Sequence, residues 1–274
     1  MFTEYHSKYY ACELTRKCSS SEREKLNASI LSASVKLNPY QIDAALFAFR
    51  SPLSRGAILA DEVGLGKTIE AGLVISQLWA EHKRRILCIT PASIRQQWMT
   101  ELSQKFYIDS TILESQNFRQ IQKDEGGNPF EQTDAVVICS YQFARSKIEY
   151  LQVMPWDLVV IDEAHRLRNI YRKDNKIAKA IHAGIFERPK LLLTATPLQN
   201  SLMELWGLVS FIDPHVFGSA DSFREQFAQK ATMLTENDFK GLKHRIEPIC
   251  QRTLRRQVRE YVSYTQRISI TQDF

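Results

Sequence analysis

The sequence lacks the features that mark secreted and membrane proteins. Only five of its 274 residues are cysteine, and no two of them form a Cys-x-x-Cys pair. The odd number and scattered spacing argue against a disulfide framework and against a zinc site. No apolar run is long enough to span a membrane, and residues 1–17 lack the apolar core of a signal peptide. We therefore expect no membrane association and a reducing, intracellular compartment.

A strong charge of one sign is also missing. The net charge is +5, which does not by itself indicate nucleic-acid binding. The basic residues are unevenly placed, however, because Lys240–Arg267 contains eight Lys or Arg residues and only two acids, Glu247 and Glu260. Two interpretations of this segment stay open: a solvated helix face and a track for a polyanion.

What the sequence does contain is a recurring pattern of short apolar runs. They are continuous rather than alternating, which is typical of strands covered on both faces in a parallel sheet. Helix-length segments such as Lys67–His82 and Ser93–Lys105 separate most of them. This rhythm indicates an α/β fold of three layers, with a mostly parallel sheet between helices. The runs are Ala57–Ala60, Ile86–Ile89, Ala135–Ile138, Leu158–Ile161 and Leu191–Leu193.

The same pattern predicts four parts along the chain. Residues 1–35 are polar and mixed in charge, and we interpret them as a helical arm. The α/β lobe occupies residues 36–210. The strand pattern then stops, so residues 211–250 are predicted to form a helical protrusion. Residues 251–274 are interpreted as a return segment and a connector.

A glycine-rich turn follows the first apolar run. In AILADEVGLGKTIEAG, residues 57–72, the Gly-Lys-Thr end matches the pattern GxxxxGK[ST], although Asp61 replaces its first glycine. Backbone N–H groups of such a loop cradle phosphates, the lysine reaches the β- and γ-phosphates, and the hydroxyl ligates Mg²⁺. A glycine turn with a surface lysine is the alternative. The predicted cradle is Asp61, Glu62, Val63, Gly64, Leu65, Gly66, Lys67 and Thr68.

Two adjacent carboxylates end the fourth run. LVVIDEAH, residues 158–165, delivers Asp162 and Glu163 to the sheet edge at which α/β proteins bind ligands. Asp162 suits the shell of Mg²⁺, and Glu163 suits deprotonating an attacking water. A pair of acids that caps the next helix is the alternative. We expect Asp162 and Glu163 to lie next to the Gly-Lys-Thr turn across neighbouring strands, around one Mg²⁺-bound triphosphate.

Five segments together resemble a known family. They are DEVGLGKTIEAG, ITPASIRQQW, ICSYQ, DEAHRLRN and LLLTATPLQNSLMELWGLVSFIDP. Their order and wording are similar to the first RecA-like lobe of SWI2/SNF2 ATPases in helicase superfamily 2, and most similar to the bacterial HepA/RapA-like members. The resemblance implies a P-loop NTPase fold, use of ATP and Mg²⁺, and double-stranded DNA as a partner.

The resemblance also implies roles for individual residues. Gln41 in LNPYQ would contact the adenine base, and Lys67, Asp162 and Glu163 would be the catalytic residues. We expect Asp61 to accept bonds from neighbouring loop amides and Glu62 to face a partner lobe. For Thr90 and Ser140, a satisfied strand-end hydroxyl is the alternative to DNA contact. Residues implied in DNA contact or in coupling are Thr90, Pro91, Ser140, Tyr141, His165, Thr194 and Thr196.

A working motor of this family has a second RecA-like lobe, which supplies arginines to the transition state. None of the later motifs occurs in the sequence, so we expect weak ATP binding and slow turnover from this lobe alone. The segment LRRQVRE resembles the stretch that leads towards the second lobe, so its arginines are expected to anchor the structure between the lobes, with direct DNA contact as the second interpretation. A bacterial parent would act in the cytoplasm at the nucleoid, and a eukaryotic one in the nucleus.

Two alternative functions stay open. The letters Asp-Glu-Ala-His also occur in DEAH-type RNA helicases, although TATPLQN argues against that class, which usually carries Ser-Ala-Thr at this place. A nucleotide-binding interaction module without turnover is the third interpretation. The presence of Lys67, Asp162 and Glu163 argues against it.

Overall fold

A computed structural model describes residues 26–50, 55–124, 126–228 and 235–258 of the chain. The predicted N-terminal arm up to residue 25 and the predicted connector after residue 258 lie outside the described residues. The centre of the fold is a sheet of seven strands, which are β1 Gly56–Leu59, β2 Ile86–Thr90, β3 Ser110–Ile112, β4 Val136–Ser140, β5 Leu158–Asp162, β6 Lys190–Leu193 and β7 Cys250–Gln251. Their order in the sheet is β3-β4-β2-β5-β6-β1-β7, and the strand pairs are parallel.

The sheet is buried on both faces, as the continuous apolar runs predicted. Successive strand residues point to opposite faces. Ile58 and Leu87 accordingly belong to the hydrophobic core on one face, called the first core, whereas Leu59 and Cys88 belong to the core on the other face, called the second core. The predicted three-layer α/β fold is confirmed.

Helices cover the two faces of the sheet. The helices are α1 Asn27–Ser32, α2 Pro39–Arg50, α3 Lys67–Ala80, α4 Arg95–Phe106, α5 Ser115–Asp124, α6 Tyr141–Ser146, α7 Ile148–Gln152, α8 Lys176–Gly184, α9 Leu202–Ile212, α10 Ala220–Phe223 and α11 Glu236–Ile246. The second core receives side chains from α2, α3 and α4, and the first core receives them from α5 to α11.

The described part of residues 211–250 contains helices joined by turns, and no strand occurs in it before Cys250. A π-helical turn, Arg224–Ala228, continues α10, and α11 begins with a capping box in which Thr235 and Asp238 exchange hydrogen bonds. Phe223 and Leu242 are buried in the first core, so this region packs against the sheet layer. The chain then returns to pair β7 with β1.

Two of the strands were not predicted from the sequence, because they are short. β3 has three half-buried residues and β7 has two, and both occupy edges of the sheet. Among the described residues, no helix has the length and apolarity needed to cross a bilayer.

Candidate functional site

The carboxyl ends of the strands place the phosphate loop and the Asp-Glu pair at one edge. The loop follows β1 and the acids end β5. These two strands are not neighbours, because β6 lies between them and pairs with both. The expectation of neighbouring strands was wrong, since a parallel sheet need not follow chain order.

A cleft of about 380 Å³ nevertheless joins the two motifs. Lys67 and Thr68 line one side, and Asp162 and Glu163 line another. The prediction that the two motifs lie close together is therefore confirmed, and the Mg²⁺-bound triphosphate between them stays a prediction. The other lining residues are Val63, Gly64, Gly66, Ile69, Ile94, Gln97, Trp98, Glu101 and Lys105.

The phosphate loop has a backbone that only glycine adopts readily. Gly64 and Gly66 have φ of +83° and +88°, in the left-handed region. A Cβ at Gly66 would also lie 2.6 Å from the Gln41 side-chain nitrogen. The amides of Lys67 and Thr68, at the start of α3, have no intrahelical acceptor and are available to an anion, whereas the Ile69 amide already donates to the Gly66 carbonyl at 2.8 Å.

The side chains of Gln41 and Lys67 are bonded to the loop itself. Gln41 is buried, donates to the Leu65 carbonyl at 3.0 Å and accepts from the Asn38 amide at 3.0 Å. The Lys67 ammonium donates to the Asp61 carbonyl at 2.8 Å. Gln41 thus supports the phosphate loop, while its contact with adenine stays a prediction.

Asp61 and Glu62 bind the segment that follows β7. Asp61 is fully buried, and its Oδ1 accepts from the Thr253 amide at 2.7 Å. Glu62 Oε2 accepts from the Arg255 amide at 2.9 Å, and the Arg255 guanidinium donates to the Val63 carbonyl at 3.1 Å from Nε. The expected partners were wrong: the amides come from almost two hundred residues away, and Glu62 binds this chain.

A second fully buried acid lies behind the phosphate loop. Glu70 on α3 is fully buried beside Asp61. Burial raises the pKa of Glu70 well above its ordinary value, and the negative charge of Asp61 adds to this shift. A protonated Glu70 can donate to Asp61, which relieves the repulsion between two buried carboxylates.

The Asp162 carboxylate is held at both oxygens. Trp98 Nε1 donates to Oδ2 at 2.8 Å, and the Glu163 amide donates to Oδ1 at 2.8 Å. The Tyr141 hydroxyl donates to the Asp162 carbonyl. Burial raises the pKa of Asp162, and the Trp98 bond opposes that shift.

Glu163 has an unusual backbone and a basic neighbour. Its φ of +52° is in the left-handed region, where a residue with a Cβ is strained. His165 Nδ1 lies 3.0 Å from Glu163 Oε2, and this contact is the main cause of the lowered pKa of Glu163. Glu163 is therefore ionised at neutral pH, as a proton acceptor requires.

The residues implied in DNA contact have partners within the chain. Thr90 is buried and its hydroxyl donates to the carbonyl of Pro91, which is also buried. The Ser140 hydroxyl caps α6 by accepting from the Phe143 amide at 3.2 Å. Tyr141 is buried beneath Asp162. These contacts support the strand-end alternative, and DNA contact by these side chains stays a prediction.

The two threonines after β6 lie in different environments. Thr194 is buried and its hydroxyl accepts from the Thr196 amide at 3.2 Å, whereas Thr196 is exposed. Arg168, from the segment after the Asp-Glu pair, donates to Gln199 Oε1 at 2.6 Å and lies 3.5 Å from Glu204. These contacts join the DEAHRLRN and TATPLQN segments, and a coupling role for His165, Thr194 and Thr196 stays a prediction.

Several functional contacts were missed by sequence reasoning. Trp98 sits on a helix whose apolar face predicts only core packing. Glu204 looked like an ordinary helix residue, yet it accepts from the Gln199 and Asn200 amides at 3.0 Å. For Thr253 no signal in the sequence pointed to the phosphate loop.

The cleft fits a magnesium-bound nucleotide. The Thr68 hydroxyl and the Asp162 carboxylate supply oxygen ligands, which Mg²⁺ prefers, and it takes only one or two carboxylates alongside phosphate oxygens. The described residues hold no cluster of three or more His, Cys, Asp or Glu side chains fit for a metal. Glycine at positions 64 and 66 lets the loop close, because a Cβ there would lie 3.2 Å from the Arg255 side chain and 2.6 Å from the Gln41 side chain, respectively.

The comparisons with known proteins agree on one family. Residues 10–271 match the SNF2-related domain family. The chain is 34% identical over 230 residues to "Uncharacterized ATP-dependent helicase YqhH" of Bacillus subtilis (strain 168), which covers 83% of this chain and 38% of that protein.

Two solved structures from Sulfolobus solfataricus are similar in fold. A SWI2/SNF2 ATPase core in complex with dsDNA has a TM-score of 0.68 and 26% identity, over 81% of this chain and 45% of that one. A SWI2/SNF2 ATPase core domain has a TM-score of 0.68 and 27% identity, over 87% and 47%. The chain thus spans less than half the length of these relatives.

Proposed function

We propose, from the premise that this chain belongs to the SNF2-related domain family, that it is the ATP-binding first lobe of a DNA-dependent ATPase. The parent protein would translocate on double-stranded DNA or remodel protein–DNA complexes. One observation carries the proposal: the cleft that brings Lys67 and Thr68 together with Asp162 and Glu163.

The chemistry assigned to the cleft is hydrolysis of ATP. The loop amides and the Lys67 ammonium bind the phosphates, and Thr68 and Asp162 would hold Mg²⁺. Bound Mg²⁺ supplies neutralisation of the charge that develops on the phosphoryl oxygens. Glu163, whose pKa the contact with His165 lowers, is ionised at neutral pH and accepts the proton of the attacking water.

Full turnover is assigned to a protein with two lobes. An arginine supplied to the transition state is typically worth about 10³–10⁵ in rate, and we expect it from the second lobe. Support for duplex DNA as a partner comes from the solved Sulfolobus core, which was bound to dsDNA. DNA binding through phosphates should weaken steeply with salt.

The test measures ATP hydrolysis by the two-lobe protein without nucleic acid, with duplex DNA and with RNA. We expect strong stimulation by duplex DNA, and none in Lys67→Ala. Stimulation by RNA alone would support a DEAH-type RNA helicase instead. Binding of Mg-ATP with no turnover under any condition would support an interaction module.

A further inference from the structure

Trp98 reaches Asp162 from a distant part of the chain. It lies in α4, 64 residues before the acid, and its indole is 1% exposed. On one side the ring packs in the second core, which also contains Leu102 and Phe106. On the other side its Nε1 donates to Asp162 Oδ2 at 2.8 Å.

This bond fixes how the carboxylate is turned. Asp162 Oδ1 accepts from the Glu163 amide at 2.8 Å, so each oxygen receives one N–H from a rigid group. Two such bonds hold the carboxylate plane against rotation about its terminal torsion, which is otherwise broad. Each oxygen retains a further acceptor direction, and the group lines the cleft with Thr68.

We propose that Trp98 is a positioning residue, which holds the Asp162 carboxylate in the orientation that binds the Mg²⁺ of a bound nucleotide. This inference rests on the proposed function. Groups that hydrogen-bond to a metal ligand from behind orient it, and their loss typically lowers metal affinity about 10–100-fold.

The chain offers a matched control in Trp156. This residue is also buried, at 3% exposure, and its Nε1 donates to the Leu151 carbonyl at 3.0 Å. It belongs to the first core and its acceptor is a backbone group. Replacing either tryptophan by phenylalanine removes one buried N–H donor and some ring volume, but only Trp98 bonds to a proposed Mg²⁺ ligand.

The experiment measures binding of fluorescent ADP to the full chain as Mg²⁺ is varied, with a parallel measurement in EDTA. We expect Trp98→Phe to raise the half-saturating Mg²⁺ concentration about tenfold or more, with affinity in EDTA within about twofold of wild type. Trp156→Phe should leave both values unchanged. Thermal unfolding of each variant reports any loss of stability separately.

A second replacement preserves the shape of the ring. Benzothienylalanine at position 98 replaces the indole N–H by sulfur and keeps the two fused rings. We expect it to raise the half-saturating Mg²⁺ concentration about tenfold or more, as for Trp98→Phe, and it tests the inference even if Trp98→Phe does not fold. An unchanged Mg²⁺ midpoint in the folded variants, or an equal shift in Trp156→Phe, would overturn the inference alone. Failure of the wild-type chain to bind nucleotide at any Mg²⁺ concentration would overturn both the inference and the proposed function.

Discussion

At the scale of single residues, the two acids before the phosphate loop bind the chain rather than the ligand. Asp61 Oδ1 accepts from the Thr253 amide and Glu62 Oε2 from the Arg255 amide, so one oxygen of each carboxylate is held against the segment that follows β7. Gly64, Gly66 and Lys67 of the loop line the cleft, and the Lys67 ammonium donates to the Asp61 carbonyl. An acid in place of the first glycine is thus compatible with phosphate binding.

Glu163→Gln provides the sharpest test of a catalytic role. The amide cannot accept a proton, so hydrolysis by the two-lobe protein should fall about 10²–10⁴-fold. Binding of Mg-ATP should change little, because Thr68 and Asp162 are intact. Steady-state hydrolysis and equilibrium binding measure the two effects.

Glu187→Gln is the control for that variant. Glu187 is exposed and lies 3.7 Å from Arg55, which precedes β1 at the opposite edge of the sheet. It should keep wild-type turnover. Wild-type turnover by Glu163→Gln as well would remove Glu163 from its assigned role.

At the scale of elements, the return segment is fastened to the phosphate loop. The Arg255 guanidinium donates to the Val63 carbonyl, so Arg255→Ala should speed hydrogen exchange of the loop amides at residues 61–66. Arg256→Ala removes the exposed neighbour and serves as the control. Equal protection of the loop in both variants would show that the guanidinium contact does not hold it.

Two helical glycines should respond oppositely to alanine. A Cβ at Gly207 in α9 would lie 1.8 Å from the Arg168 carbonyl, so Gly207→Ala should cost about 1–3 kcal/mol of unfolding free energy. Gly241 in α11 is exposed with nothing within 4 Å of a Cβ, and Gly241→Ala should stabilise by about 0.5–1 kcal/mol. Urea unfolding measures both, and a neutral Gly207→Ala would contradict the close approach of α9.

The elements show where sequence reasoning works and where it stops. Runs such as Leu158–Ile161 are predictable because burial on both faces requires continuous apolar residues. β7 is not, because its two residues join the sheet by backbone pairing that needs no particular side chain. The position of β6 between β1 and β5 is set by packing of the whole sheet, so the motif order alone cannot give it.

The residues of the site also divide into those that the sequence predicts and those that it does not. Lys67, Thr68, Asp162 and Glu163 were predictable because their chemistry demands those residue types after strands. Trp98 was not, because a tryptophan on an apolar helix face satisfies a core equally well. Nor was Thr253, because only its backbone amide takes part, and any residue but proline supplies one.

At the scale of the whole molecule, a buried lysine should make stability depend on pH. Lys190 is 1% exposed, and burial, with the charge of Arg55, lowers its pKa from 10.5 to about 8. Between these values the unfolded chain binds more protons than the folded one, so Lys190 makes stability rise with pH.

Lys190→Met removes this contribution. The difference in unfolding free energy between wild type and variant should change in favour of wild type by at most about 1.4 kcal/mol per pH unit above pH 8. Urea unfolding at several values up to pH 10 measures it. The comparison cancels the opposing effect of the buried thiols of Cys139 and Cys250, whose pKa burial raises to about 12. A constant difference across that range would contradict the assignment.

The cleft itself can be probed with Fe²⁺ in place of Mg²⁺, because radicals generated at bound iron cut the nearby backbone. With ADP and peroxide, we predict two cleavage sites by mass spectrometry, one near Thr68 and one near Asp162, and loss of both in Asp162→Ala. Cleavage near only one of the two motifs, or cleavage independent of nucleotide, would contradict the claim that a single metal–nucleotide site joins them.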